Sequence, residues 1–391
     1  MKRTKIETAE AEAESFLGGL QERQPKYRQI VESLRSNIAA GQYRNGGRLP
    51  SEAELVRRFG VSRMTVVKAM QQLQQEGLLV RRTGSGTYLS GGGASQALVF
   101  GLIIPDLGET EIFEPICKGM ARSPDLRGHS LSWGHSLTTS PNKEEEAQHL
   151  CQQYIDQKVS GVFFAPLEFS RHREQVNNRI LRALRQAQIP VVLLDRCGLP
   201  YPERSECDLV GLDNRRAGYL VADHLIRQGA QNIAFMSHAG SAETVADRIA
   251  GYREALFAHG RAASADLLFE GDGTDSTTIN AFLKRMKIDA FLCANDLTAA
   301  RLMQSLLGLG VQIPEDIRIA GVDDVKYAGL LPVPLTTFHQ PCLEIGAAAV
   351  AAMKERLSNP DLPARTIALN GYLVIRQSCG AAVGRLEAIK I

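Results

Sequence analysis

Between residues 27 and 40, Ile30, Leu34 and Ile38 recur every four positions, the spacing that gathers apolar side chains on one face of a helix. Ser51 followed by Glu54 predicts a capping box that opens a second helix, with Leu55 and Phe59 turned inward. Gly60-Val61 marks a tight turn. Ser62 then caps a third helix in which Val66, Ala69, Met70 and Leu73 form one apolar stripe, and Gly77 supplies its stop. Residues 78–82 and 87–90 read as two short strands around Thr83-Gly84-Ser85-Gly86.

Beyond the Gly/Ser-rich stretch SGGGASQ (90–96) the pattern changes. Apolar runs at 97–105, 161–166, 190–195, 209–213, 232–237, 289–294 and 317–323 alternate with helical stretches at 143–157, 171–187, 214–228, 244–259, 296–309 and 341–358. Continuous apolar strands separated by helices predict parallel sheets covered on both faces. There are too many for one small sheet, so two doubly wound α/β lobes fit better. The predicted domains are a flexible polar arm (1–24), a small helical unit with a hairpin (25–90), a linker (91–96) and a two-lobed α/β unit (97–391).

A length of 391 residues agrees with more than one core. No apolar run approaches the roughly 20 residues of a membrane span, and the N-terminus lacks the apolar segment of a secretory signal. Seven scattered cysteines, never spaced as CxxC, argue against disulfides or a zinc site and for a reducing cytoplasm. Charge is uneven: residues 23–90 hold twelve Lys and Arg against four Glu, whereas residues 91–391 hold thirty against thirty-four acids. A basic front on a near-neutral body suits a polyanion at the front, although scattered surface charge is an equal alternative on this observation alone.

The third helix is the best DNA reader. With its apolar stripe buried, Arg63, Met64, Val67 and Lys68 lie toward the other side. Ser62, Arg63 and Thr65 cluster at its N-terminus, where free backbone N–H groups favour phosphate. The guanidinium fork of Arg63 suits a guanine edge and Lys68 a phosphate. The glycines of the hairpin tip allow close approach to a minor groove. A generic three-helix bundle with solvated cations is the competing reading. The motifs RLPSEAEL (48–55), VSRMTVVKAMQQLQQEGLL (61–79) and RRTGSGTYL (81–89) resemble the winged helix-turn-helix of the GntR family. The resemblance implies DNA contacts from Arg48, Ser51, Ser62, Arg63, Thr65, Lys68, Gly84, Ser85 and Gly86. Ala53 and Val67 stand where that family usually has arginine, so an operator sequence does not carry over.

In the back unit, polar residues fall at the carboxyl ends of the apolar runs, where open α/β sheets bind ligands: Asp106, Asp195-Arg196, Asp213, Asn295-Asp296 and Asp323-Asp324. Such groups suit sugar hydroxyls. Local roles compete, since Asp213-Asn214 and Asn295-Asp296 precede helices they can cap and Asp324 can simply be solvated. The segments VVLLDR, ADRIAGYREAL, CANDLTA, VQIPEDIRIAGVDD and PLTTFHQP, among others between 98 and 379, resemble the LacI/GalR effector domain, itself similar to periplasmic sugar-binding proteins. That resemblance implies two lobes joined by three crossovers, with effector contacts from Asp106, Phe113, Asp195, Arg196, Arg248, Asn295 and Asp323, Phe113 stacking on a sugar face. The pairing of the two domains is similar to that of the arabinose-repressor (AraR) family.

The expected protein is a sequence-specific transcription regulator, a repressor, acting as a cytoplasmic, nucleoid-associated homodimer on operator DNA and controlled by a sugar-like effector. It needs no cofactor, metal or membrane. No catalytic or phosphate-binding motif is present, so an enzyme is disfavoured. The alternative is a cytosolic sugar sensor without specific operator binding.

Overall fold

A computed structural model describes residues 25–39, 42–43, 47–82, 86–89, 97–105, 111–134 and 142–381. The predicted arm (1–24), the linker (91–96) and the hairpin tip with Gly84 and Ser85 lie outside the described residues, as does Asp106. The chain divides into two units, Met1–Gln96 and Ala97–Ile391.

The first unit is a helical head. Helix α1 (Lys26–Ala39) packs Ile30, Val31 and Leu34 inward. Helix α2 (Glu52–Phe59) begins at the capping box: Ser51 Oγ accepts from Glu54 N–H and the Glu54 carboxylate accepts from Ser51 N–H. Gly60, left-handed at φ 58°, ends α2 and donates to Val56 O. Helix α3 (Arg63–Gln75) starts at Ser62, whose hydroxyl accepts from Thr65 N–H. Strands β1 (Leu79–Arg82) and β2 (Gly86–Leu89) pair antiparallel, and Arg48 bridges to Tyr88 at the edge. Val66, Ala69, Met70 and Leu73 of α3 close the core with Leu55, Leu79 and Leu89.

The second unit has two lobes, each built on a six-stranded sheet. Lobe 1 contains β3 (Val99–Ile103), α4 (Phe113–Arg122), β4 (Ser130–Trp133), α5 (Lys143–Asp156), β5 (Gly161–Phe164), α6 (Arg173–Gln186), β6 (Val191–Leu194) and β7 (Asp208–Leu212). The chain then crosses to lobe 2 through α7 (Asn214–Arg227), β8 (Ile233–Ser237), α8 (Glu243–Ala258), β9 (Leu268–Glu270), α9 (Ser276–Met286), β10 (Ala290–Cys293), α10 (Asp296–Gly308), β11 (Arg318–Asp323) and β12 (Thr336–His339). It returns through Gln340-Pro341 to α11 (Cys342–Ser358) and β13 (Thr366–Leu369) in lobe 1, and crosses a third time to β14 (Tyr372–Val374). The sheet orders are β13-β7-β6-β5-β3-β4 and β14-β12-β11-β10-β8-β9; every pairing is parallel except β12 with β14.

Helix pairs brace the crossovers. A Cβ at Gly251 of α8 would lie 1.8 Å from Arg215 O of α7, so only glycine permits that approach, and it fixes the helix that carries Arg248. Among the described residues no helix is long and apolar enough to cross a membrane, and no cluster suits a metal ion.

Candidate functional site

In the head, Arg63 stands at the first turn of α3 with its side chain 79% exposed. Its Nε lies 3.2 Å from Glu52 Oε2, while Glu52 Oε1 is 3.3 Å from Arg81 of β1. One carboxylate thus bridges the reading helix and the hairpin. These exposed pairs hold the arginines at little energetic cost to separation. The Ser62 and Thr65 hydroxyls are 2.8 Å apart at the helix start. The Lys68 ammonium sits 4.5 Å from the Tyr27 ring centroid. A Cβ at Gly86 would meet Arg48 Nε at 2.9 Å, so the hairpin glycine and Arg48 share one patch. Ser51 is occupied as the cap of α2.

The lobes of the second unit enclose a cavity of about 200 Å³ lined from both sides. Lobe 1 contributes Glu111, Glu168, Phe169, Asp195 and Arg196; lobe 2 contributes Thr244, Arg248, Asn295, Leu297, Asp323 and Tyr327. Asp195 and Asp323 sit where β6 and β11 end, with φ at 67° and 122°. These are sparsely populated backbone conformations for non-glycine residues, held here by the surrounding fold. Arg248 is buried; its Nε donates to Asn214 Oδ1 at 2.8 Å, a second nitrogen donates to Ala294 O, and Nη2 lies 3.8 Å from Asp323. Burial pushes the Asp323 carboxyl well above the usual range, with the Arg248 charge opposing. Across the cavity Arg196 pairs with Glu168, also buried.

The lobes are clasped at the rim of this cavity. Glu168 Oε2 accepts from Ala242 N–H at 3.2 Å, Phe169 N–H donates to Gly240 O at 3.3 Å, and the Glu243 carboxylate accepts from Gly198 N–H. In the crossover, Gln340 donates to Asp195 Oδ1 at 3.4 Å.

The cavity therefore gathers Asp195, Arg196, Arg248, Asn295 and Asp323 from the expected set. Asn295 also caps α10, its Oδ1 accepting from Thr298 N–H at 2.8 Å. Phe113 requires a correction: it is fully buried at the start of α4, outside the cavity lining, and its ring lies under the Arg196 guanidinium, 5.3 Å from centroid to carbon. It packs in the lobe 1 core rather than facing a sugar. Asp324 is not simply solvated; it bonds His339 Nδ1 at 2.9 Å and Arg376 at 2.7 Å. Asp213 caps α7 by accepting from Arg216 N–H. Sequence reasoning missed Glu168, which follows the run at 161–166 and was findable by the same strand-end logic. Phe169, Leu297 and Tyr327 carried no such signal.

Asp296, beside the site, is completely buried and accepts from Thr337 Oγ1 at 2.6 Å and Val325 N–H at 3.0 Å. Burial pushes its carboxyl up to about 7. An unfolded aspartate titrates near ~3.9, so the folded state holds this proton over a window where the unfolded state releases it. This group's contribution to stability should fall as pH rises from about 4 to 7 and then level off. Asp296→Asn should therefore gain on the wild type across that window in urea unfolding; a stability difference independent of pH would refute the assignment.

A basic head exposing a helix start, joined to a two-lobed unit with charged side chains from both lobes converging on one cavity, defines a ligand-responsive DNA-binding regulator. Residues 26–89 match the family of bacterial regulatory proteins of the gntR type, and residues 222–379 match the periplasmic binding protein-like domain. The chain is 29% identical to the arabinose metabolism transcriptional repressor of Geobacillus stearothermophilus, over 83% of this chain and 89% of that protein. It is 31% identical to the HTH-type transcriptional repressor PurR of Vibrio atlanticus (strain LGP32), over 60% of this chain and 68% of that protein. A solved complex of the transcriptional regulator CelR with cellobiose shares the fold, with a TM-score of 0.61 at 22% identity, covering 81% of this chain and 91% of that one. The chain belongs to the bacterial transcriptional repressors that join a helix-turn-helix head, here of the gntR type, to a periplasmic binding protein-like domain. It is a DNA-binding transcription regulator and not an enzyme, and the sensor without operator binding is set aside.

Proposed function

We propose that the protein is a cytoplasmic homodimeric repressor released from its operator by a small, unphosphorylated sugar bound between the lobes. The observation that carries this reading is the inter-lobe cavity, into which Asp195 and Arg196 converge from lobe 1 and Arg248 and Asp323 from lobe 2. Its volume of about 200 Å³ lies below the ~300–1,000 Å³ of drug-sized sites, which favours a single sugar ring. Three lining carboxylates (Glu111, Glu168 and Asp195) face two guanidiniums, and burial pushes the fourth acid, Asp323, toward its neutral form, so a phosphorylated sugar finds no net positive charge to pair with. Relatives that repress arabinose metabolism agree with a sugar effector. A ligand touching both lobes binds the closed form better than the open one, and that differential affinity shifts the geometry of a dimer spanning two half-sites.

Thermal-shift screening against mono- and disaccharides and their phosphates tests the effector. A neutral monosaccharide should raise the melting temperature by mass action. Stabilisation by sugar phosphates alone would overturn the reading.

For DNA, Arg63→Ala should weaken operator binding by about 1–3 kcal/mol, the worth of a bidentate base contact, while binding to random DNA changes less. Fluorescence anisotropy on operator and scrambled duplexes measures both. An unchanged ratio of the two would remove Arg63 from base reading.

A further inference from the structure

Val66, Ala69, Met70 and Leu73 of α3 are buried in the head's core, so the opposite side of the helix carries Met64, Val67, Lys68 and Gln71 at spacing i, i+3, i+4, i+7. Met64 is 75% exposed, and Val67 one turn on is only partly covered. On the helix that carries Arg63, Met64 thus stands in water with a half-buried Val67 beside it. Their surroundings are cationic: Lys26 and Lys68 share a shallow surface hollow with Met64 and Val67, and Arg63 adjoins it in sequence.

An apolar pair framed by positive charge fits one kind of surface. The DNA major groove has anionic phosphate rims and a floor on which each thymine presents a C5-methyl group. A second copy of this head would oppose cation to cation and fits less well. We propose that Met64 and Val67 read thymine methyl groups in the operator half-site, beside the base pair that Arg63 contacts. Arg63 and Met64 are consecutive, about 1.5 Å apart along the helix axis, against a base-pair step of about 3.4 Å, so they reach the same or adjacent base pairs. Methyl contacts add no charge. The part of specificity they carry should be insensitive to salt, unlike the phosphate contacts of Lys68.

The inference rests on α3 entering the major groove, and one experiment separates the two. Full-length protein selects operators from a random duplex library, and the enriched operator is resynthesised with deoxyuridine in place of each half-site thymine in turn. At one or two positions beside the Arg63 contact, removing the methyl should weaken wild-type binding about fourfold, the worth of one buried methyl group. That penalty should disappear at one position in Met64→Ala and at its neighbour in Val67→Ala. The deoxyuridine series on the wild type needs no variant, and Met64→Ala leaves the head's core untouched. Equal binding of thymine and deoxyuridine throughout, or a penalty that survives in both variants, overturns the proposal. A library that enriches nothing overturns the reading head itself and the methyl contacts with it.

Discussion

Arg248→Ala is expected to leave operator binding close to wild type and to raise the effector concentration needed for release by about 30-fold to a few thousandfold. The range follows from truncating a buried arginine that donates to Asn214 and Ala294 and lies 3.8 Å from the Asp323 carboxyl, about 2–5 kcal/mol. Arg248 holds the hinge crossover (Asn214), the end of β10 (Ala294) and a cavity carboxylate (Asp323) at once. Removing it takes a donor fork from the ligand and the nearest cation from Asp323, whose carboxyl burial already pushes up. Losing that charge pushes the Asp323 carboxyl further in the same direction. Arg248→Lys tests the geometry, because an ammonium keeps the charge but not the planar fork. Calorimetric titration of the effector and anisotropy on the operator read the two affinities separately. A variant that responds at the wild-type concentration would move the effector out of this cavity. Reciprocity adds a check, since operator and effector must change each other's affinity by the same factor.

The head was the more legible unit because its signals are local. The Ser51–Glu54 capping box, the Ser62 cap and the α3 stripe each involve residues within a turn or two of one another, and each is realised within a residue or two. The back unit's central strands were legible for a different reason: buried on both faces, they are continuously apolar. Its edges were not. Strands β4 and β13 have only four residues each and bury none of them fully, and β9 and β14 have three. Helix α4 went unread because its buried face packs against α11, more than two hundred residues later, with Gly119 and Gly346 at the close approach. The same distance effect misplaced Phe113 and Asp324. What covers the one and bonds the other, Arg196, His339 and Arg376, comes from other elements. Strand-end logic found Asp195, Arg196, Asn295 and Asp323, but Arg248 comes from mid-helix and was carried by resemblance alone.

Asp208→Ala should cost the second unit about 3–5 kcal/mol, the usual price of breaking a buried ion pair from one side. Asp208 opens β7 with no exposed surface. Its carboxylate accepts from Arg356 Nη2 of α11 at 3.0 Å and from Arg365 N–H beside β13 at 2.9 Å. Those elements form the chain's return leg into lobe 1, and β13 pairs with β7 directly before two of the three crossovers. Alanine would leave the Arg356 guanidinium largely buried and without a counter-charge, held only by the carbonyls of Pro360, Leu362 and Pro363. Burial pushes the Asp208 carboxyl up, but hydrogen bonds from Arg365 and Arg356 outweigh it and hold the group below its ordinary range. A depressed folded pKa means the stabilisation is fully present above the unfolded value near ~3.9 and fades as pH falls through the folded one. Urea unfolding at pH 7 should show the full difference between wild type and Asp208→Ala, and the difference should shrink only below about pH 4. Asp208→Asn separates charge from hydrogen bonding, retaining an acceptor for Arg365 N–H while losing the ion pairs. A loss under about 1 kcal/mol at pH 7 would mean that both arginines regain water when the carboxylate goes, and that apolar packing of α11 on α4, rather than this ion cluster, anchors the return leg.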